Sequence, residues 1–504
     1  MALSRGGGIL LHPTSLPGPH GSGDLGAEAH RFLDWLAATR QRYWQMLPLS
    51  PVGYGSSPYS SLSAFAGNPM LIDVSALVDR GWLASSQMPA ATDLPDGRLD
   101  FGRSGGLRTP LLRRAADAFF AHADPTDRAA YQRFCEKQAA WLEDFALFMA
   151  LNETHDGAEW TSWEKPLAHR ESAALERARE SHAGAVRRHR FAQWVFFEQW
   201  SRLREAARAK GIRLIGDAPI FVAFHSADVW AHQELFFLDE ARRPTVVAGV
   251  PPDYFSATGQ RWGNPLYRWD KLAQTGFAWW VDRLRALLDL VDVVRLDHFR
   301  GFAGYWEIPA AEKTAVRGRW AAGPGEALFL ALARELGPLP IVAEDLGVIT
   351  PDVTALRDRF RFPGMKVLQF AFGSDATNPF LPHNFERNAV VYTGTHDNDT
   401  TRGWFDEAPE AERDFARRYL ATDGHDIAWD FIRLAYQSVA DVAVVPFQDV
   451  LGLGSEARMN RPGLARGNWD WRFSWAEVPE SAAARLEELA RLYGRAPKTD
   501  PADE

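Results

Sequence analysis

Four short apolar runs in this 504-residue chain end in acids. Asp217 closes IRLIGD, Asp297 closes VDVVRLD, Glu344 and Asp345 follow PIVA, and Asp397 lies just beyond AVVYTGT in THDND. One acid at a strand end serves equally well as a helix N-cap or a surface charge. Acids converging on one rim repel one another, cost stability and mark a site. Alternation sharpens the second run. Val291, Val293, Arg295 and Asp297 share one face of a strand, which passes from apolar filling to a guanidinium beside a carboxyl. An adjacent Arg keeps Asp297 charged, the state a nucleophile requires. A purely structural Arg–Asp pair is the plainer reading, but His298 and Arg300 crowd the same rim. In the next run Val342 and Glu344 share a face, and a Glu emerging from apolar surroundings retains its proton and acts as a general acid. One charged and one protonated carboxyl form the pair that cleaves glycosidic bonds.

The elements that must carry these acids are eight near-continuous apolar runs, at 8–11, 43–48, 212–217, 291–297, 340–344, 365–370, 389–395 and 442–447. Such runs are the mark of parallel strands buried on both faces. Amphipathic helical patterns lie between them, at 30–39, at 191–210 with Gly211 behind it, at 278–290, and at 325–336 closed by Gly337. The fold class is therefore α/β: a (β/α)8 TIM barrel, with an open doubly wound sheet as the alternative. Spacing predicts one catalytic domain over 1–504 with inserted, mostly helical subdomains and no separate C-terminal β domain. The gap between the second and third runs predicts an insertion at about 50–200, too long for a loop. Within it 84–109 reads as loop and 131–153 as a helix. A second insertion covers 235–269, and the polar end, 494–504, reads as frayed.

Composition narrows the function. Apolar residues make up 46% and charged residues 24%, as in soluble globular proteins. A net charge of −9 disfavours nucleic acid as a partner. Cys135 is the single cysteine, so no internal disulfide forms, which fits a reducing, cytoplasmic setting. No run is long enough to span a membrane, and no stretch of signal-peptide length precedes Pro13. The 20 Trp against 11 Tyr fit either core filling or sugar platforms. Gly102-Arg103-Ser104-Gly105-Gly106 fits G-x-S-x-G but follows polar residues rather than a buried strand. Asp397–Asp399 lacks the Gly and bidentate Glu of a calcium loop, and no H-E-x-x-H pattern occurs. No metal or other cofactor is expected.

GDAPIFV around Asp217, RLDHF at 295–299, AEDLG at 343–347 and THDN at 395–398 resemble, in order, the four sequence regions of the α-amylase superfamily. ILLHPTSLPGPHGSGDLG (9–26), SPYSSLSAFAGNP (57–69), GVPPDYFSATGQRWGNPLY (249–267) and DVLGLGSEARMNRPG (449–463) narrow the resemblance to the amylomaltases, or 4-α-glucanotransferases. It covers nearly the whole chain. It implies Asp297 as nucleophile, Glu344 as acid/base and Asp397 as third carboxylate. It implies that Arg295, His298 and His396 touch the sugar at the cleavage point. It further implies that Asp217, Ser57, Tyr59, Asp253, Gln260, Trp262 and Phe370 line neighbouring subsites, and that Tyr54 marks a second glucan groove. Its substrates are α-1,4-glucans and maltooligosaccharides, and its state a monomer or weak homo-oligomer. The implied reaction is retaining transfer to another glucan's 4-hydroxyl, with carboxyls ~5–5.5 Å apart. A hydrolase with the same acids, and a non-catalytic glucan-binding barrel, are the alternatives.

Overall fold

Each apolar run supplies one strand in the computed structural model, which describes residues 3–89, 97–252, 256–464 and 466–497. The strands are Gly6–Leu10, Tyr43–Gln45, Arg213–Pro219, Val293–Asp297, Ile341–Ala343, Gly364–Val367, Ala389–Tyr392 and Val442–Pro446. All pair in parallel, and the first lies between the second and the eighth. The remaining seam, between the fifth and sixth strands, is bridged by the Ala343 N–H donating to the Pro363 carbonyl at 2.9 Å. The sheet thus closes, and the open-sheet alternative falls. Val, Ile and Leu fill the strands, and they are buried almost throughout because helices cover the outer face. Ala27–Ala38, Ala183–Ala209, Ala278–Leu290 and Gly325–Leu336 are among these helices. Gly337, at φ 75°, takes the left-handed conformation that ends the last of them. No helix among the described residues is long and apolar enough to cross a membrane.

The register matters for the site. Asp217 on the third strand stands directly opposite Arg295 on the fourth, which stands opposite Val342 on the fifth. Side chains two residues apart point to one face. Arg295 and Asp297 therefore share a face, next to the strand that ends beside Glu344.

The structure departs from expectation in four places. The stretch at 84–109 is not all loop, because a helix, Phe101–His122, begins inside it. Three glycines hide this helix in the sequence. Its N-cap Asp100 accepts from the Arg103 N–H at 2.9 Å, and buried Arg108 anchors it to the Ile72 carbonyl at 2.6 Å and to Asp24 at 3.0 Å. Ser104 thus sits within a helix rather than at a strand-to-helix elbow. The helix read at 131–153 is two, Pro125–Lys137 and Ala139–Thr154, broken at Gln138. The insertions are also less purely helical than expected. Val246–Val250 and Gln260–Pro265 pair antiparallel, and with Gly304–Pro309 and Arg319–Ala322 they form a four-stranded sheet beside the barrel mouth. Finally, the end of the chain does not loosen at Gly494. Arg495 is fully buried beneath the barrel and donates to the carbonyls of Gly6, Ala435, Tyr436, Ser438, Ala440 and Asp441. The rest of the predicted tail, 498–504, lies outside the described residues.

Removing Arg495 takes a charged donor from six buried carbonyls, some of which Arg5 also serves, and hydrogen bonds to a charged group contribute roughly 1.5–3 kcal/mol each. Arg495→Met is expected to lower the urea midpoint clearly while leaving turnover unchanged below that midpoint, since Arg495 lies at the opposite end from the acids. Coincident denaturation curves for variant and parent would refute this.

Candidate active site

Arg295 is the pivot of the site. Its side chain is only 4% exposed. Nη1 donates to both oxygens of Asp217 at 2.8 and 2.7 Å, Nη2 pairs with Asp297 at 2.9 Å, and Nε faces the Met365 sulfur at 3.4 Å. Burial works against this charge, but Asp217 and Asp297 outweigh it and push Arg295 above its ordinary value. The Tyr59 hydroxyl donates to Asp217 at 2.6 Å, so the innermost carboxyl binds on two sides.

Glu344 follows the fifth strand and is held by backbone amides. The His298 N–H donates to Oε2 at 2.7 Å and the Leu346 N–H to Oε1 at 2.9 Å. Burial first, and the charge of Asp297 second, raise Glu344 to about 7 against the opposing pull of Arg295 and the two amides. His298 takes a left-handed conformation, φ 53°, at the sharp turn off the fourth strand. Burial lowers its ring to about 4, so the ring is neutral. Its Nε2 is buried with no hydrogen-bond partner among the described residues, and Trp262 meets the ring edge-on at 4.7 Å.

The loop after the seventh strand is shaped by Asn398, whose side-chain oxygen accepts from the Thr395 N–H at 3.0 Å and hydroxyl at 2.8 Å. His396 stacks on Tyr59 with centroids 5.0 Å apart, and its Nε2 lies 3.3 Å from Asp397. Burial opposes the imidazolium, but Asp397 outweighs it and raises His396. The same pairing overcomes burial at Asp397 and holds it well below the usual carboxylate range. The Asn460 side chain donates to Asp397 at 2.6 Å.

The structure thus gathers Asp217, Arg295, Asp297, His298, Glu344, His396, Asp397, Tyr59 and Trp262 at one mouth. Ser57 joins through its hydroxyl, which accepts from the Tyr59 N–H at 3.2 Å, and Gln260 through its side-chain oxygen, which accepts from Trp262 Nε1 at 3.1 Å. Trp262, 39% exposed, and Phe370, 41% exposed, offer open aromatic surface, though the ring contact of Phe370 is with Phe380. Asp253 lies outside the described residues. Tyr54 begins a short 3-10 helix, Tyr54–Ser56, and its side chain is likewise outside them. Three supporting residues were not singled out from sequence. Asn460 lay unmarked within the 449–463 match. Trp469 stacks obliquely on Tyr59 at 5.8 Å and His396 at 5.9 Å, and Met365 caps Arg295. Only the Trp surplus hinted at the second.

With this geometry in view, comparison with known proteins is direct. The family model described as 4-alpha-glucanotransferase matches residues 11–477. The chain is 55% identical over 503 residues to the 4-alpha-glucanotransferase of Thermus thermophilus, covering 98% of this chain and 100% of the relative. It is 50% identical to that of Synechocystis sp., covering 98% and 99%. Among solved structures, an amylomaltase from Streptococcus agalactiae in complex with acarbose aligns with a TM-score of 0.95 at 36% identity, covering 98% of this chain and 100% of that one.

Asp297→Asn removes a like charge that helps to raise Glu344, so the Glu344 midpoint is expected to fall below about 7. Infrared titration of the carboxyl band, assigned against Glu344→Gln, measures it. A midpoint that stays put would mean that the two carboxyls do not sense each other.

Proposed function

The chain belongs to the 4-alpha-glucanotransferase family, and we propose that Asp297, Glu344 and Asp397 carry its reaction. The activity is transfer of α-1,4-glucan segments from a donor glucan to an acceptor. The observation that supports this assignment best is the contrast between two neighbouring carboxyls. Asp297 is ion-paired with Arg295 at 2.9 Å, whereas Glu344 is raised to about 7. Such divergence separates nucleophile from acid.

In the first step an Asp297 oxygen attacks the anomeric carbon as Glu344 gives its proton to the bridging oxygen. The C–O bond breaks, and the leaving glucan departs with a free 4-hydroxyl. The product is a glycosyl ester on Asp297, which no longer bears charge. Its neutralisation favours the ionised form of Glu344, which is now a base. An acceptor 4-hydroxyl passes its proton to Glu344 and attacks the same carbon, and Asp297 leaves. Two inversions retain configuration. Asp397, fixed by His396 and Asn460, receives ring hydroxyls as the sugar flattens, and the free Nε2 of His298 bonds another. Tyr59, Trp262 and Phe370 offer flat faces to neighbouring sugars, in keeping with the acarbose seen in the related amylomaltase. Ser57, Asp217, Gln260 and Asp253 complete the nearby subsites, and Tyr54 belongs to a groove further out. Transfer prevails over hydrolysis because a bound acceptor has high effective molarity. The segment 249–262, with Pro251, Pro252 and Trp262, is the clamp that holds it. All of these steps use protein groups alone. The single cysteine and the charge of −9 support a cytoplasmic enzyme, monomeric or weakly associated, without nucleic-acid or membrane partners.

Maltotriose is expected to yield glucose and a ladder of longer maltooligosaccharides. Glucose and maltose with steadily rising reducing ends would instead identify a hydrolase. Asp297→Asn and Glu344→Gln are each expected to cut turnover by about 10³-fold or more while maltooligosaccharide binding persists. Because Glu344 must begin protonated, kcat/KM is expected to fall as pH rises through about 7. A profile flat to pH 9 would exclude Glu344 as the acid.

A further inference from the structure

Arg300 is buried, at 8% exposure, yet no carboxylate among the described residues pairs with it directly. Its Nη1 donates to the Val348 carbonyl at 2.6 Å and its Nε to the Gly304 carbonyl at 3.3 Å. The guanidinium lies on the Trp320 ring, 3.9 Å from the centroid. Trp320 sits on the edge strand Arg319–Ala322 of the small sheet and pairs across the ladder with Trp306. A buried guanidinium is expensive to desolvate, so placing one against two backbone carbonyls and a ring needs a reason.

The reason lies two residues upstream. The bond to Val348 fixes the loop whose Leu346 N–H donates to Glu344. Burial holds this loop only in part: Leu346 and Ile349 pack against the core, but Val348 is 67% exposed and Gly347 turns the chain at φ 84°. Glu344 takes its other amide from His298, in the turn that carries Arg300. The two donors thus come from separate segments, and Arg300 is tied to both. We propose that Arg300, braced on Trp320, is a positioning residue that keeps the Leu346 and His298 amides together on the Glu344 carboxyl. This rests on the assignment of Glu344 as acid/base.

The sign follows from the charges facing Glu344. Asp297 and Arg295, both from the fourth strand, are the charged side chains acting on it. Asp345, next in its own loop, is turned away to Arg357 at 2.5 Å and to the Met365 N–H at 2.7 Å. Asp352, on the helix Pro351–Arg359, acts on Arg300, and Arg300 acts on the His298 ring. Amide bonds favour the carboxylate, so loosening one leaves burial and Asp297 less opposed and raises Glu344.

The test is the pH profile of kcat/KM for maltotriose disproportionation in Arg300→Met and Trp320→Leu. Arg300→Met keeps an apolar stem over Trp320 but loses the donors. Trp320→Leu leaves the charge of Arg300 in place and changes a half-exposed side chain, so it stays informative should Arg300→Met fold poorly. In both, the alkaline midpoint is expected to move up by about half a pH unit. Turnover is expected to fall about tenfold with KM little changed. Midpoints that match the parent in both variants, or move down, overturn the proposal. Glu344→Gln, measured alongside, separates the two levels of inference. Retained activity with the same alkaline limb would remove Glu344 itself, whereas loss of activity beside parent-like profiles in the two variants would remove only the brace.

Discussion

A guanidinium with almost no access to water sits at the mouth of the barrel, and the rest of the site depends on it. Desolvating such a charge costs several kcal/mol, which only close opposite charges and good hydrogen bonds offset. Arg295 finds both because its strand pairs in register with the third. Asp217 reaches it from the neighbouring strand by register, and Asp297 by alternation along its own. Without that lateral pairing the third, fourth and fifth strands would not bring three carboxyls around one cation. Without the cation those carboxyls would repel one another in a low-dielectric mouth.

From this one charge the differences between the acids follow. Asp297, 28% exposed, meets Arg295 on one side and the open mouth on the other. Glu344 is desolvated, receives amides rather than a guanidinium, and senses Asp297 as a like charge, so it is raised to about 7. Asp397 has its own counter-ion in His396 and a neutral donor in Asn460. Three chemically similar groups thereby acquire three behaviours through their partners alone. The aromatic stack of Trp469, Tyr59 and His396 ties the third acid back to Asp217, so the parts share one frame.

Much of this was legible in the chain because strands buried on both faces leave an unmistakable trace. Runs such as VDVVRLD and AVVYTGT announce both a strand and the acid at its end. The antiparallel sheet built from 246–265 and 304–322 left no such trace. Its strands are short, rich in Gly and Pro, and half exposed, so they carry no clean alternation. The helix at Phe101–His122 was masked by glycines that weaken local propensity, and a tertiary anchor, Arg108, overrides them. Asn460 and Trp469 lie in irregular segments where residue type alone does not reveal a partner far away in sequence. Arg495 shows the same limit. A polar residue near a chain end reads as solvent-exposed until the fold supplies six carbonyls for it.

Where the molecule holds its stability explains why it tolerates such a mouth. At the far end of the barrel charges are matched. Asp292 accepts from Arg204 at 3.1 Å, Arg208 at 3.2 Å and the Leu214 N–H at 3.0 Å, and these bonds hold it below its ordinary value despite burial. Arg495 and Arg5 satisfy the carbonyls of the turn between the helix Ile427–Gln437 and the last strand, around Tyr436–Asp441. At the mouth, by contrast, His298 keeps a strained conformation and a nitrogen with no partner among the described residues, and Glu344 keeps a like-charged neighbour. On the proposed assignment a bound sugar relieves these features: His298 gains a hydroxyl, and formation of the ester removes the charge that raises Glu344. The strain at one end is then the part of the structure that the proposed substrate would complete, and the matched charges at the other end hold the barrel closed.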